Sequence, residues 1–499
     1  MGQLRKLIGQ TAIYGLSSII GRVLNYLLVP LYTQVFDPGE YGIVTDFYAY
    51  VAFFNVLYLF GLETTYFRMV NKQGQEPDEV FNKLQTLIVI NALLITSVLL
   101  AGATTIVNAF GYAGQEQYVY ILSAVMFIDA VVALPFAKLR HEGKAFRFAS
   151  MKLINIALVI CLNVFFVIWC PNLISQGHGK IVHYFYDPGL GVGYVFIANL
   201  LANGFYLLLM GDLLLKLRIT FPLKSIKVIL QYCFPIMLLG LAGVTNEMLS
   251  RAILKFRLPV GFYEGLSNLD VLGIFGACYK LSVFMALSIQ AFKYAAEPFF
   301  FKSAGEKKSP VLFSQVMNGY IIFASLLLMG VVVNLSWISQ LFLRKPAYIQ
   351  ALPTVPWLLL GGIFLGIYYN LSIWFKITDR TLYGAYISGT GALLTILLNW
   401  WLIPHYGYMA SAVITAFIYL LMASISYLIG QKYYKIPYQV WKGLSYICII
   451  FLLSMALFYY PISSSIFGSI INNLIVLLVA FAILKIEQVN LAGIFRKTP

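Results

Sequence analysis

Apolar runs of span length follow one another along the whole chain, separated by short polar breaks. A helix needs about 20 mostly apolar residues to cross the hydrocarbon core of a bilayer. The runs predict fourteen such helices, at 11–33, 41–65, 84–107, 117–138, 148–170, 191–214, 228–252, 270–297, 312–341, 354–375, 382–403, 408–430, 441–460 and 464–485. The expected fold class is therefore all-α, a polytopic membrane protein with no soluble domain interrupting it. The run starting near Thr11 extends to Thr33, contains Arg22 and offers no small-residue cleavage site, so it reads as a retained first span. Lys6 stands where a myristoylation motif needs Ser or Thr.

Composition agrees with the pattern. Of 499 residues, 61% are hydrophobic and 11% charged, against roughly 25% charged in an average soluble domain. A water-soluble exterior cannot be built from such a chain. Cys161, Cys170, Cys233, Cys278 and Cys448 lie in apolar stretches without metal-ligand spacing and read as buried structural thiols. His178, His183 and Asp187 share the loop 171–190, and the bland reading, solvated loop residues, outweighs a metal site. No metal and no cofactor is expected.

The net charge of +15 would suggest nucleic acid in a soluble protein. In a polytopic chain the positive-inside rule explains it, and no nucleic-acid partner is expected. With the N-terminus inside, twenty-five of the 34 basic residues fall in cytoplasmic segments and six in outer ones. That ratio predicts cytoplasmic N- and C-termini. The outer loop after helix 7, with Arg251, Lys255 and Arg257, is the exception to a sparse exterior.

The halves of the chain resemble each other. YGIVTDFYAY from Tyr41 matches LGIFGACYKL from Leu272, pairing Gly42 with Gly273 and Tyr48 with Tyr279 at an offset of 231. NIALVICLNVFFV from Asn155 matches GALLTILLNWWLI from Gly391, pairing Asn163 with Asn399 at an offset of 236. The expected organisation is a six-helix bundle over 1–220, a second over 221–435, and two additional helices with a short cytoplasmic tail over 436–499. Repeats with an even helix count share one orientation, so an axis along the membrane normal and a central cleft are expected.

Ionisable residues inside spans cost about 2.5–3.5 kcal/mol each at the helix centre, and their positions are the most informative feature. Arg22 lies midway along helix 1, with Asn25 on the same face, and Lys280 lies near the middle of helix 8. Neither has an acidic neighbour in sequence, and both suit an anionic ligand such as a diphosphate. Arg251 joins them as a substrate-binding candidate. Asp46, Asp129, Glu247, Lys293 and Glu297 read as ion-coupling groups or structural ion pairs. Glu247–Arg251 and Lys293–Glu297 have the i, i+4 spacing of helix pairs, so those two stay open between structure and substrate contact. Lys255, Lys293 and Arg68 also fit interfacial snorkelling.

LNYLLVPLYTQVFDPGEYGIVTDFYAY (24–50) and LLNWWLIPHYGYMASAVITAF (397–417) resemble the multidrug/oligosaccharidyl-lipid/polysaccharide exporter superfamily. The closest likeness is to its polysaccharide-biosynthesis branch of O-antigen and capsule-type flippases. The resemblance implies two six-helix bundles forming an alternating-access cleft, with helices 13 and 14 appended. It implies a flippase, not an enzyme, carrying an undecaprenyl-diphosphate-linked oligosaccharide to the outer leaflet of the bacterial cytoplasmic (inner) membrane for surface polysaccharide or lipopolysaccharide synthesis. Implied partners are that lipid-linked glycan, membrane lipid, a coupling ion (H+ or Na+) and the polysaccharide polymerase or ligase machinery. It places cations of helices 1, 2, 7 and 8 in the cavity, which Arg22 and Lys280 match; helix 2 departs by offering Asp46. The alternatives are a lipid II flippase, a cation-coupled multidrug antiporter and, against the short 171–190 loop, a membrane glycan polymerase or ligase.

Overall fold

The computed structural model describes residues 23, 26–71, 76–177, 182–223, 225–303, 309–378, 380–461 and 466–488. Among them the regular structure is helical. The end of the first span, α1, is Leu28–Val35. It is followed by α2 (Pro38–Val70), α3 (Pro77–Ala101), α4 (Glu116–His141), α5 (Ala145–Ser175), α6 (Gly193–Leu209) and α7 (Ile226–Arg257). A broken helix, α8, comprises Asn268–Lys280 and Val283–Ser303, bent by 46° at the break. Next come α9 (Ser309–Val333) and α10 (Pro346–Ile377). Leu382–Tyr433 is two helices, α11 and α12, meeting at Gly407 (φ 56°). The chain closes with α13 (Val440–Tyr459) and α14 (Ile466–Ile486). Among the described residues the apolar runs and the helices coincide, with ends that differ by up to about eight residues; most of the first run, 11–33, lies outside the described residues.

Local chemistry sets the boundaries. Asp37 caps α2 with Pro38 at its first position, and the Glu40 carboxylate accepts the Asp37 amide at 3.0 Å, a capping box. Buried hydroxyls bond back along their own helices, as Thr33 does to the Val29 carbonyl (2.9 Å) and Thr86 to that of Asn82 (2.8 Å); in lipid no water is available to take that role. Gly407 turns α11 into α12 in the left-handed region, and a Cβ there would lie 2.3 Å from the Tyr263 hydroxyl. Asn163 donates to the Val159 carbonyl at 2.7 Å, and Asn399 to the Thr395 carbonyl at 2.8 Å. The two asparagines aligned by the internal repeat thus make the same bond.

Two compact units are defined: Met1–Gly276 with Ser388–Gly407, and Ala277–Ile387 with Tyr408–Pro499. In the first, α4 is central, packing on α2, α3, α5 and α6, with Leu134, Ala137 and Leu139 fully buried. Helix α7 lies along α2 in this unit, so compactness and the sequence repeat divide the chain at different places. In the second, α9 is central and packs on α8, α10, α13 and α14. Large apolar side chains remain exposed in bands, among them Leu93, Leu94 and Val98 on α3 and Leu474, Leu477, Leu478 and Phe481 on α14. Bands of that extent need lipid against them: the chain is a multi-pass membrane protein. Cys170, Cys233 and Cys278 are buried as expected, whereas Cys161 and Cys448 are exposed on α5 and α13.

Candidate functional site

Two polar clusters occupy the first unit, and helix α2 contributes to both. Asp46 of α2 is fully buried. Its Oδ2 accepts from the Lys255 ammonium of α7 at 2.7 Å and from the Tyr112 hydroxyl at 2.7 Å. The same ammonium donates to the Phe110 carbonyl at 2.6 Å and sits 3.7 Å from the centre of the Tyr112 ring. A buried carboxylate is tolerable only with such pairing and hydrogen bonding. Burial and the Asp46 charge push the Tyr112 hydroxyl well above its ordinary pKa, so it remains a donor. This cluster lies at the end of α2 that begins with Pro38.

The second cluster joins α4, α5 and α6. Asn203 donates to Asp129 Oδ1 at 2.8 Å, and its own carbonyl oxygen accepts from Asn155 at 2.9 Å. Lys152 interacts electrostatically with Asp129, its ammonium lying 4.1 Å from the centre of the Phe136 ring. Nearby, Asn199 of α6 donates to the Tyr48 hydroxyl of α2. The result is an acid among amides, in a medium where electrostatic interactions are strong.

The other sequence candidates fall as follows. Arg251 of α7 is buried, donates to the Met248 sulfur at 2.9 Å and interacts electrostatically with Tyr41. Glu247, one turn earlier, is exposed. In the second unit, Lys280 is half-buried and ends the first segment of α8, directly before the bend. A cation there complements the helix C-terminus. Lys293 is half-buried with its ammonium 4.0 Å from the centre of the Tyr369 ring, and it shares a small cavity with Lys376, Tyr369 and Ser372. Arg22, Asn25 and the Glu297 side chain lie outside the described residues. Asp187 serves its own turn, accepting from the Gly189 amide at 2.8 Å, and His183 is exposed.

The sequence reading missed the pairing of Asp46 with Lys255 and the interaction of Lys152 with Asp129. It also passed over Asn155, Asn199 and Asn203, although amides spaced along apolar helices were a visible signal. At the opposite end from Asp46 the ion pairs are Lys138–Asp78 (2.6 Å), Arg140–Glu63 and Arg147–Asp212. They join the ends of α2 to α6 where the α2–α3, α4–α5 and α6–α7 connections lie.

A family model described as polysaccharide biosynthesis protein matches residues 7–304. Among solved structures, the chain is similar to the lipid II flippase MurJ in an inward closed conformation. The TM-score is 0.69 at 16% identity, covering 94% of this chain and 97% of that one. It is also similar to an inward-facing multidrug resistance MATE family transporter of the MOP superfamily, with TM-score 0.64 and 14% identity over 85% of this chain and 94% of that one. A MOP superfamily transporter from Pyrococcus furiosus, whose binding pocket is described as reversed in polarity, gives a TM-score of 0.56 at 13% identity over 85% and 95% of the chains. No curated protein matches. At these identities the likeness is one of fold.

Proposed function

We propose that this chain, which belongs to the polysaccharide biosynthesis protein family, is a flippase that moves an undecaprenyl-diphosphate-linked oligosaccharide to the outer leaflet of a bacterial cytoplasmic membrane. The family match, extending over α1 to α8, carries the reading. The transporter fold supports it. The two repeats would form bundles that alternately expose a central cleft to either side. In this reading Arg22, Lys280 and Arg251 offset the charge of the diphosphate and Asn25 contributes to head-group binding, while the lipid tail stays in the bilayer. The break in α8 favours Lys280 in that role, because discontinuous helices are where transporter sites form.

The sequence carries no nucleotide-binding motif, so the proposed drive is an ion gradient, the membrane potential or downstream consumption. Asp129 is the preferred coupling group: Asp46 is neutralised by Lys255, whereas Asp129 faces amides and a lysine that contacts aromatic rings. The distribution of basic residues supports cytoplasmic termini.

Depletion of the protein should make a lipid-linked oligosaccharide accumulate on the inner leaflet. An Arg22→Ala/Lys280→Ala double variant that inserts normally should fail to clear it, and Asp129→Asn should remove the dependence on a proton or sodium gradient. Accumulated lipid II would instead assign the peptidoglycan precursor. Heightened drug sensitivity with unchanged surface glycan would mark a multidrug antiporter and overturn the proposal.

A further inference from the structure

Helices α9, α10, α12 and α13 of the second unit surround a cavity of about 280 Å³. Its walls are apolar, with Ile321 of α9, Phe364 of α10, Leu420 of α12 and Ile447 of α13 among them. Along α12 it runs from Leu420 to Leu428, about 12 Å at the rise of a helix. Ser424 and Leu428 line it and are exposed, so it reaches the surface that lipid covers.

One end of the cavity is polar. The connection between α12 and α13 is pinned there, the Ser314 hydroxyl donating to the Pro437 carbonyl at 2.7 Å and the Gln431 amide to the Ile436 carbonyl at 2.8 Å. Asn318 donates to Gln439 Oε1 at 3.1 Å. Tyr438, held between these anchors, lines the cavity, and its hydroxyl is buried with no hydrogen-bond partner among the described residues. Buried hydroxyls in native proteins are nearly always bonded, so an open one on a cavity wall points to a ligand that brings an acceptor. At the same end Trp441, Lys432 and Lys435 are exposed. Exposed tryptophans gather at the level of the lipid head groups.

We propose that this cavity is a lipid site that takes one acyl chain of a phospholipid from the cytoplasmic leaflet. The lipid's ester carbonyl accepts from the Tyr438 hydroxyl, and its phosphate lies level with Trp441, Lys432 and Lys435. Length favours that occupant. Half the hydrocarbon core is about 15 Å deep, which the cavity nearly spans from its polar end inward; a polyprenyl tail is several times longer and would lie mostly outside. Charge favours it too, because basic side chains at the cytoplasmic surface attract anionic head groups. The chain in place completes the packing of α13 against α10 and α12. The site is independent of what the protein transports, and only the choice of leaflet uses the orientation proposed above.

The test places the full-length protein in vesicles containing phosphatidylglycerol with a photoreactive diazirine midway along one acyl chain. After illumination, peptide mapping should find label on Leu420–Leu428 and Val440–Ile447 at least fivefold above that on the exposed α14 band Leu474–Phe481, which any surrounding lipid reaches. Tyr438→Phe keeps the ring, removes the donor and should lower the cavity label at least threefold. Ser424→Trp, which fills the mouth, should lower it at least fivefold; Ala423→Leu replaces that variant if it does not insert. Label on α14 should stay constant throughout and so report normal insertion. Undecaprenyl phosphate in equal amount should leave the cavity label intact. Cavity label no stronger than that on α14, or indifferent to the variants, would overturn the site. Displacement by undecaprenyl phosphate would assign the cavity to a polyprenyl tail and overturn the phospholipid.

Discussion

At the residue scale, the three basic residues at the end of α7 that break the expected charge pattern are used inside the protein. Lys255 neutralises Asp46, Arg251 is buried, and the Arg257 guanidinium stacks 4.3 Å from the centre of the Trp400 ring. None of this was legible in sequence, because Asp46 and Lys255 are 209 positions apart and a one-dimensional reading pairs only neighbours. The depth of Asp46 was legible, and its cost implied a partner. Removing one member of a buried pair leaves an uncompensated charge and costs about 3–5 kcal/mol. Lys255→Met should therefore lose stability on that order in detergent unfolding, and Asp46→Leu/Lys255→Met should regain most of it. Equal losses in the single and double variants would deny the pair its stabilising role.

At the element scale, the helices were almost entirely legible, since lipid enforces long apolar segments with few exceptions. The interruptions were less so. Pro135 and Pro235, inside α4 and α7, are visible in the sequence. The bend after Lys280 and the π-helical turn Val164–Trp169 within α5 have no proline to announce them. Helix ends show a similar division. Arg147 at the start of α5 grips Asp212, just beyond α6, through two hydrogen bonds of 2.8 and 2.5 Å, a fork that no spacing in sequence suggests. That hydrogen bonding holds the Asp212 carboxyl below the usual carboxylate range. Its contribution is present above the unfolded value and is lost as pH falls through the lowered folded value. Both side chains are partly exposed, so Asp212→Asn should cost no more than about 1 kcal/mol near neutrality. The difference from the parent should vanish in acid, as followed by unfolding at a series of pH values.

At the scale of the whole molecule, hydropathy and charge carry an expectation of how many times the chain crosses the membrane and which way it points, but not of which helices pack together. The repeat was visible as short matches, and its physical counterpart is the shared back-bond of Asn163 and Asn399 and the close approach of Gly42 to Leu269 and of Gly273 to Pro38. The attachment of α7 to α2 was invisible, because it depends on side chains such as Thr65, whose hydroxyl lies 3.0 Å from the Cys233 sulfur. The orientation has a direct check. In a background with the five native cysteines replaced, an impermeant thiol reagent applied to intact spheroplasts should label Gly261→Cys and leave Lys432→Cys unlabelled; both positions are exposed. The reverse pattern would invert the topology.

The distance between Asp46 and Lys255 along the chain also has a meaning in time. Synthesis at about 5–20 residues per second separates their emergence from the ribosome by roughly 10–40 s. Throughout that interval the nascent protein has a second helix whose acid has no lysine to meet. Slowing translation between the two codons lengthens the life of that intermediate, so the stretch encoding α3 to α6 sets how long the young protein is exposed to quality control.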